Sequence, residues 1–202
     1  MSLYYVGLDR KNNMFEKGTG RAIRHTIGSG SWKATHGWDF NYEAIAQWGS
    51  FSGRPIRAWA LSQDTGHTFQ TRLRPRVGVR ADVASGDGGP KDKQLGSFDP
   101  LFPAAPVYPG PSGLLGPTNL IDLSPSVRLQ LRKTASLTLE SSTFWRESLS
   151  DGVYSPAMIP IRRGGSSGAR YVATAPSATM AWQATARVLF GRLHGFFDMG
   201  IL

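Results

Sequence analysis

Four arginines at even positions, Arg72, Arg74, Arg76 and Arg80, fall within TFQTRLRPRVGVRADV, about residues 68–83. Their odd-numbered neighbours are Phe69, Thr71, Leu73, Pro75, Val77, Val79, Ala81 and Val83. Strand side chains alternate between faces, so a strand here presents guanidinium groups on one side and an apolar surface on the other. A guanidinium is a planar fork that grips a carboxylate or phosphate through two parallel hydrogen bonds, whereas an ammonium is a point charge. The division recurs in SVRLQLR (126–132), where Val127, Leu129 and Leu131 oppose Arg128, Gln130 and Arg132. It recurs more weakly in 137–146, where Leu137, Leu139 and Trp145 oppose Glu140 and Arg146. Like charges so close together repel. Such a column therefore calls for acids from loops or for an anionic substrate.

Other chemistries find little to work with. GGSSG at 164–168 fits the G-x-S-x-G spelling, but a nucleophile elbow needs a strand before it and a helix after it. Here Arg162 and Arg163 precede it and the strand-like ARYVATA follows, so a loop is expected. His25, His36, His67 and His194 are scattered, with no spacing that makes a metal site or positions a base. Asp82, Asp87, Asp92 and Asp99 lack the order of a calcium loop. The chain has no cysteine, hence no disulfide framework or thiolate metal site. No Walker loop or dinucleotide fingerprint occurs. The expectation is a protein that is not an enzyme and takes neither cofactor nor metal.

The elements that would hold such a column are strands. Among 202 residues, 17 arginines and 6 lysines face 14 acids, a net charge of +9. This excess calls for an anionic partner. Charged residues are only 18%, few for a soluble protein of this length. The 24 glycines and 13 prolines are spread along the chain and a 3.6-residue period is rarely sustained. No apolar run reaches the ~18 residues of a membrane-spanning helix, nor does the start show a basic region followed by an apolar one. A period of two is common instead. It marks strands at 2–9, 20–30, 38–49 and 56–60, then beyond a turn at DTGH (64–67) at 68–83, 126–132, 137–146, 171–182 and 188–197. In WDFNYEAIAQWG, Trp38, Phe40, Tyr42, Ala44, Ala46 and Trp48 share one face and Asp39, Asn41, Glu43, Ile45 and Gln47 the other. Short turns such as DTGH and RKTAS alternate with long irregular stretches at 84–118 and 147–169 within a single domain, 1–202. Pro75 and Pro176 lie inside expected strands and should leave them bulged or ragged.

About nine strands in meander order need a second layer to cover their apolar faces, and no amphipathic helix supplies it. A lipid bilayer would. Tyr4, Tyr5, Trp38, Trp48, Trp145, Trp182, Phe196 and Phe197 sit near strand ends, as interfacial girdles do. The fold class is thus all-β, an antiparallel up-and-down transmembrane barrel. Two other readings use the same residues. A soluble basic sheet could bind nucleic acid by charge and stacking, although here the aromatics mostly share the apolar face, apart from the arginines. A non-conducting structural barrel of the outer membrane is the other.

Several segments resemble the alginate-export family of outer-membrane barrels. They include YYVGLDRKNNMFEKGTGRAIRHTIG, GWDFNYEAIAQWG, IRAWALSQDTGHTF, GLLGPTNLIDLSPSVRLQL, FWRESLSDGVYSP and, most specific of all, SGDGGPKDKQLGSFDPLFP. The resemblance covers about residues 4–197. It implies an electropositive conduit in the Gram-negative outer membrane for an acidic, uronate-type polysaccharide such as alginate. Outer-membrane lipid and periplasmic export components are the further partners, and nucleic acid is not one. Carried over by segment and face, the pore-lining candidates are Arg72, Arg74, Arg76, Arg80, Arg128 and Arg146, with Asp39, Glu43, Asp82 and Glu140 as orienting acids. It also implies that a leader and about as many strands again precede Met1, and that one strand follows FFDMGIL. On that reading the chain is roughly the C-terminal half of a barrel, incomplete at both ends and open at two edges.

Overall fold

The computed structural model describes residues 1–11, 21–89, 91–101, 115–185 and 188–196, without the side chains of 184–196. Nine long strands form one antiparallel sheet in meander order. They are β1 (Ser2–Lys11), β2 (Arg21–Thr35), β3 (Trp38–Phe51), β4 (Arg54–Thr68), β5 (Arg76–Ala84), β6 (Leu120–Arg132), β7 (Ala135–Arg146), β10 (Tyr171–Thr185) and β11 (Val188–Phe196). A two-stranded hairpin, β8 (Val153–Tyr154) and β9 (Pro160–Arg162), lies in the β7–β10 connection. β1 and β11 are the edges and do not pair with each other, so the sheet is a barrel wall that is not closed.

Turn chemistry sets the register. His36 and Gly37 have φ of 48° and 83°, and Ser52 and Gly53 have 45° and 88°. Positive φ at both central residues is what a two-residue type I′ hairpin requires, and its twist matches the flanking strands. The β2–β3, β4–β5 and β6–β7 connections share one end of the sheet, the turn end. At the opposite, loop end lie 85–89, 91–101, 115–119 and 147–170 together with the tight Ser52–Gly53 turn.

The two faces differ as the period of two demands. One is apolar: Leu61, Val77, Val79, Leu123, Leu131, Leu139 and Met180 stand exposed on it. Trp38 packs edge-on against His67, ring centroids 4.9 Å apart, and His67 against Phe69 at 4.6 Å. Nearer the loop end, His25 stacks between Trp48 at 5.6 Å and Tyr5 at 6.1 Å. Trp38 and Trp48 are ten residues apart on β3. At ~3.3 Å per residue and a tilt of about 40°, the two aromatic levels are separated by about 25 Å along the sheet normal to the turns, the height of the apolar band of an outer-membrane barrel. The other face is polar and receives the loops. Its core comprises small clusters where loop meets sheet: Ala22, Phe51, Ile56 and Leu95; Ala58, Ala84 and Phe98; and Leu115, Leu120, Phe144, Val153 and Val172.

Three expectations need correction. DTGH is not a turn: β4 runs through to Thr68, and Asp64 and Gly66 sit in its ladder opposite Arg80 and Gly78. The turn is 69–75, so Arg72, Arg74 and Pro75 leave the wall. Arg74 has a φ of 40°, its N–H donates to Thr71 O, and Phe69 N–H donates to Pro75 O. Alternation in TRLRPR imitated a strand, but Pro75 can donate no ladder bond. Tyr4 belongs to the polar face, while Tyr5 is on the apolar one. Pro176 stays in register with Ser141, and β10 bulges instead between Tyr171 and Ala173. Residues 12–20, Phe197 and the end of the chain lie outside the described residues, as does the side chain of Phe196.

Candidate functional site

The polar face carries three charge clusters, each assembled from several strands. At the turn end, Arg76 on β5 reaches across β4. Its Nε donates to Asp39 Oδ2 at 2.9 Å, and its Nη2 to Asp39 Oδ1 at 2.5 Å and Asp64 Oδ1 at 2.7 Å. Both acids are on neighbouring strands, so the guanidinium lies along the wall. Arg128 on β6 is directly opposite Arg76 in the ladder. It is exposed and makes no ion pair with any described residue.

In the middle, Arg80 gathers three acids. Nη2 stands 3.3 Å from Asp122 Oδ2 and 3.2 Å from Glu140 Oε1, and Nε stands 3.3 Å from Asp82 Oδ2. Hydroxyls complete the set. Ser62 donates to Asp82 at 2.5 Å, Ser124 to Asp122 at 2.7 Å, and Ser142 to Glu140 at 3.1 Å. Asp122 and Ser124 are almost wholly buried, which is tolerable only because each polar atom has a partner. This patch holds more acids than arginines. Beside it, Tyr4 lies over Gly28 and donates to Glu43 Oε1 at 2.8 Å.

Toward the loop end, the strap 85–101 folds onto the polar face. Leu95 exchanges backbone bonds with β4: Leu95 N–H donates to Pro55 O, and Arg57 N–H to Leu95 O. Phe98 then covers Ala58 and Ala84, and Asp99 lands on β2 and β3. Gln47 holds it by its backbone, accepting from Asp99 N–H at 3.0 Å and donating to Asp99 O at 2.7 Å. Arg24, with no exposed surface, donates to Gln47 Oε1 at 2.8 Å and stands 3.6 Å from Asp99 Oδ2, as does Arg10. Burial pushes the Asp99 carboxyl above the usual carboxylate range, and Arg24 and Arg10 oppose that rise. The other long connection is clamped by Asn119, whose Nδ2 donates to Ser148 O and Gly152 O at 3.0 and 2.8 Å. Asp151 accepts from Asp87 N–H, Ser97 and Tyr154. Burial and the Asp151 charge raise the Tyr154 phenol, which therefore stays a donor.

Of the candidate pore residues, Arg76, Arg80 and Arg128 share the polar face with Asp39, Glu43, Asp82 and Glu140. Arg72 and Arg74 sit in the 69–75 turn at the rim. Arg146 faces the polar side but is fully buried, spending its guanidinium on the carbonyls of Ser167, Ala169 and Leu149. It anchors a loop. Sequence reasoning missed Arg24, Gln47, Asp64, Asp99 and Asp122. Parity could have found Asp122, since IDLSPSVR places it on the same face as Arg128. Nothing local points to Asp99, which meets Gln47 across 52 residues.

A family model described as alginate export matches residues 1–200. No curated protein matches the chain.

Proposed function

The chain belongs to the alginate export family, and from that premise we propose that its polar face lines the lumen of a conduit for an acidic polysaccharide while its apolar face meets lipid. The family is one of outer-membrane polysaccharide channels rather than of enzymes. The observation that carries the finer reading is the contrast of faces: guanidinium groups and acids on one, exposed leucines, valines and two levels of aromatic rings on the other. A uronate entering the lumen loses part of its hydration, and guanidinium N–H groups replace it. Interleaved acids keep each arginine from binding too tightly, so the polymer hops between weak sites. The turn end would face the periplasm and the long loops the exterior, as is usual for such barrels. A base-stacking surface is less well served, because Arg76, Arg80 and Arg128 lie on the face opposite the packed rings of Trp38, His67, His25 and Trp48.

Adding short oligouronates to the whole protein in a planar bilayer tests this reading. The small-anion current should fall in proportion to oligomer occupancy, whereas neutral oligosaccharides of equal length should block far less. Equal block by both would contradict a charge-selective conduit.

A further inference from the structure

Arg76 and Arg128 form a directly opposed pair across β5 and β6, an arrangement of like charges that destabilises a sheet. The wall resolves it by space. Gly66 on β4 pairs with Gly78 on β5 and with Asp39 on β3, leaving a strip without side chains between Arg76 and the acids it reaches. A Cβ at Gly66 would come within 2.4 Å of the Arg76 Cζ, and one at Gly78 within 2.4 Å of its Nη1. Neither residue has a φ in the left-handed region, so the backbone does not demand glycine at either place. Glycine within a strand costs stability relative to a residue with a side chain. The demand is for room.

We infer that Gly66 and Gly78 are positioning residues: their slot lays Arg76 flat on β4 against Asp39 and Asp64, takes its charge out of the path, and leaves Arg128 as the guanidinium that meets the passing anion. This rests on the polar face being the lumen wall. The slot divides two arginines of identical chemistry into one that stiffens the wall and one that reads the substrate. Substitution at Gly66 is cheap for the fold, since the group in the way is the far end of a flexible side chain.

Arginine-directed modification with phenylglyoxal, mapped by peptide mass spectrometry on the whole folded protein, tests the slot without depending on transport. In the native protein Arg128 should react about tenfold faster than Arg76, the factor expected when roughly 1.4 kcal/mol of charge-assisted bonding must be broken first. In G66A, Arg76 should react at close to the Arg128 rate. The double variant Asp39→Asn, Asp64→Asn should expose Arg76 likewise without adding any bulk, which covers the case in which G66A fails to fold. Equal reactivity of the two arginines in the native protein, or continued protection of Arg76 in both variants, overturns the inference. Ion selectivity separates the layers. In a pore that selects anions, R128Q should lower the anion-over-cation permeability ratio by about two- to fourfold, the effect of one unit charge about 10 Å from the path. A native pore that shows no anion selectivity defeats the lumen reading, while the modification pattern still decides the slot.

Discussion

Gln47 shows how much of this molecule depends on single polar side chains. Its amide satisfies both the N–H and the C=O of Asp99, and its oxygen also takes an N–H from Arg24. Gln47→Ala would leave two backbone groups and the Arg24 Nη1 buried without hydrogen-bond partners, at about 1–3 kcal/mol for each unsatisfied group. Hydrogen exchange across 95–101 should therefore quicken by at least about tenfold while the strands keep their protection. Unchanged exchange in that segment would show that Phe98 and Leu95 hold the strap unaided. The arginine pattern was legible as a pattern, and the partners were not. Arg76 finds Asp39 at a separation of 37 residues and Arg80 finds Glu140 at 60. Only strand order, which periodicity does not specify, brings them together.

Among the elements, those with a clean period of two and a turn residue of strong preference could be read directly. β3 is the plainest, with six apolar residues on one face and a Gly at each flanking hairpin. The β4–β5 hairpin misled because its signals compete. DTGH has turn composition, yet Asp64 and Gly66 are used in the ladder as an acid for Arg76 and as room for it. The true turn is irregular, with Leu73 O accepting from Gln130 N–H on β6. The strands also make a claim about their outer side. Leu139 is exposed in the middle of the apolar face of β7, where an arginine facing lipid costs about 2–4 kcal/mol. Leu139→Arg should lower the stability of the folded barrel in vesicles by that amount, measured by guanidinium unfolding. In contrast, Thr138→Arg on the polar face should lower it much less. Equal costs would contradict the assignment of faces.

The described residues form a wall with one apolar and one polar side, with loops folded over one end of the polar side. β1 and β11 are its edges, and an edge in hydrocarbon requires a partner strand. Family membership over residues 1–200 agrees with the segments that resemble that family, and the open nine-stranded meander agrees with a barrel wall. The charge picture has shifted from a bare column of arginines to networks in which Arg76 and Arg80 are matched by acids from neighbouring strands. Arg128, directly opposite Arg76, is exposed and has no acid partner among the described residues. The central claim is that this face lines an anion-selecting lumen. The most direct measurement is the reversal potential of the whole protein in a planar bilayer under a potassium chloride gradient, for the native form and R128Q. The account predicts a native potential on the chloride side of zero, and a permeability ratio about two- to fourfold smaller in R128Q. A native pore without anion preference, or a variant indistinguishable from it, would contradict the account.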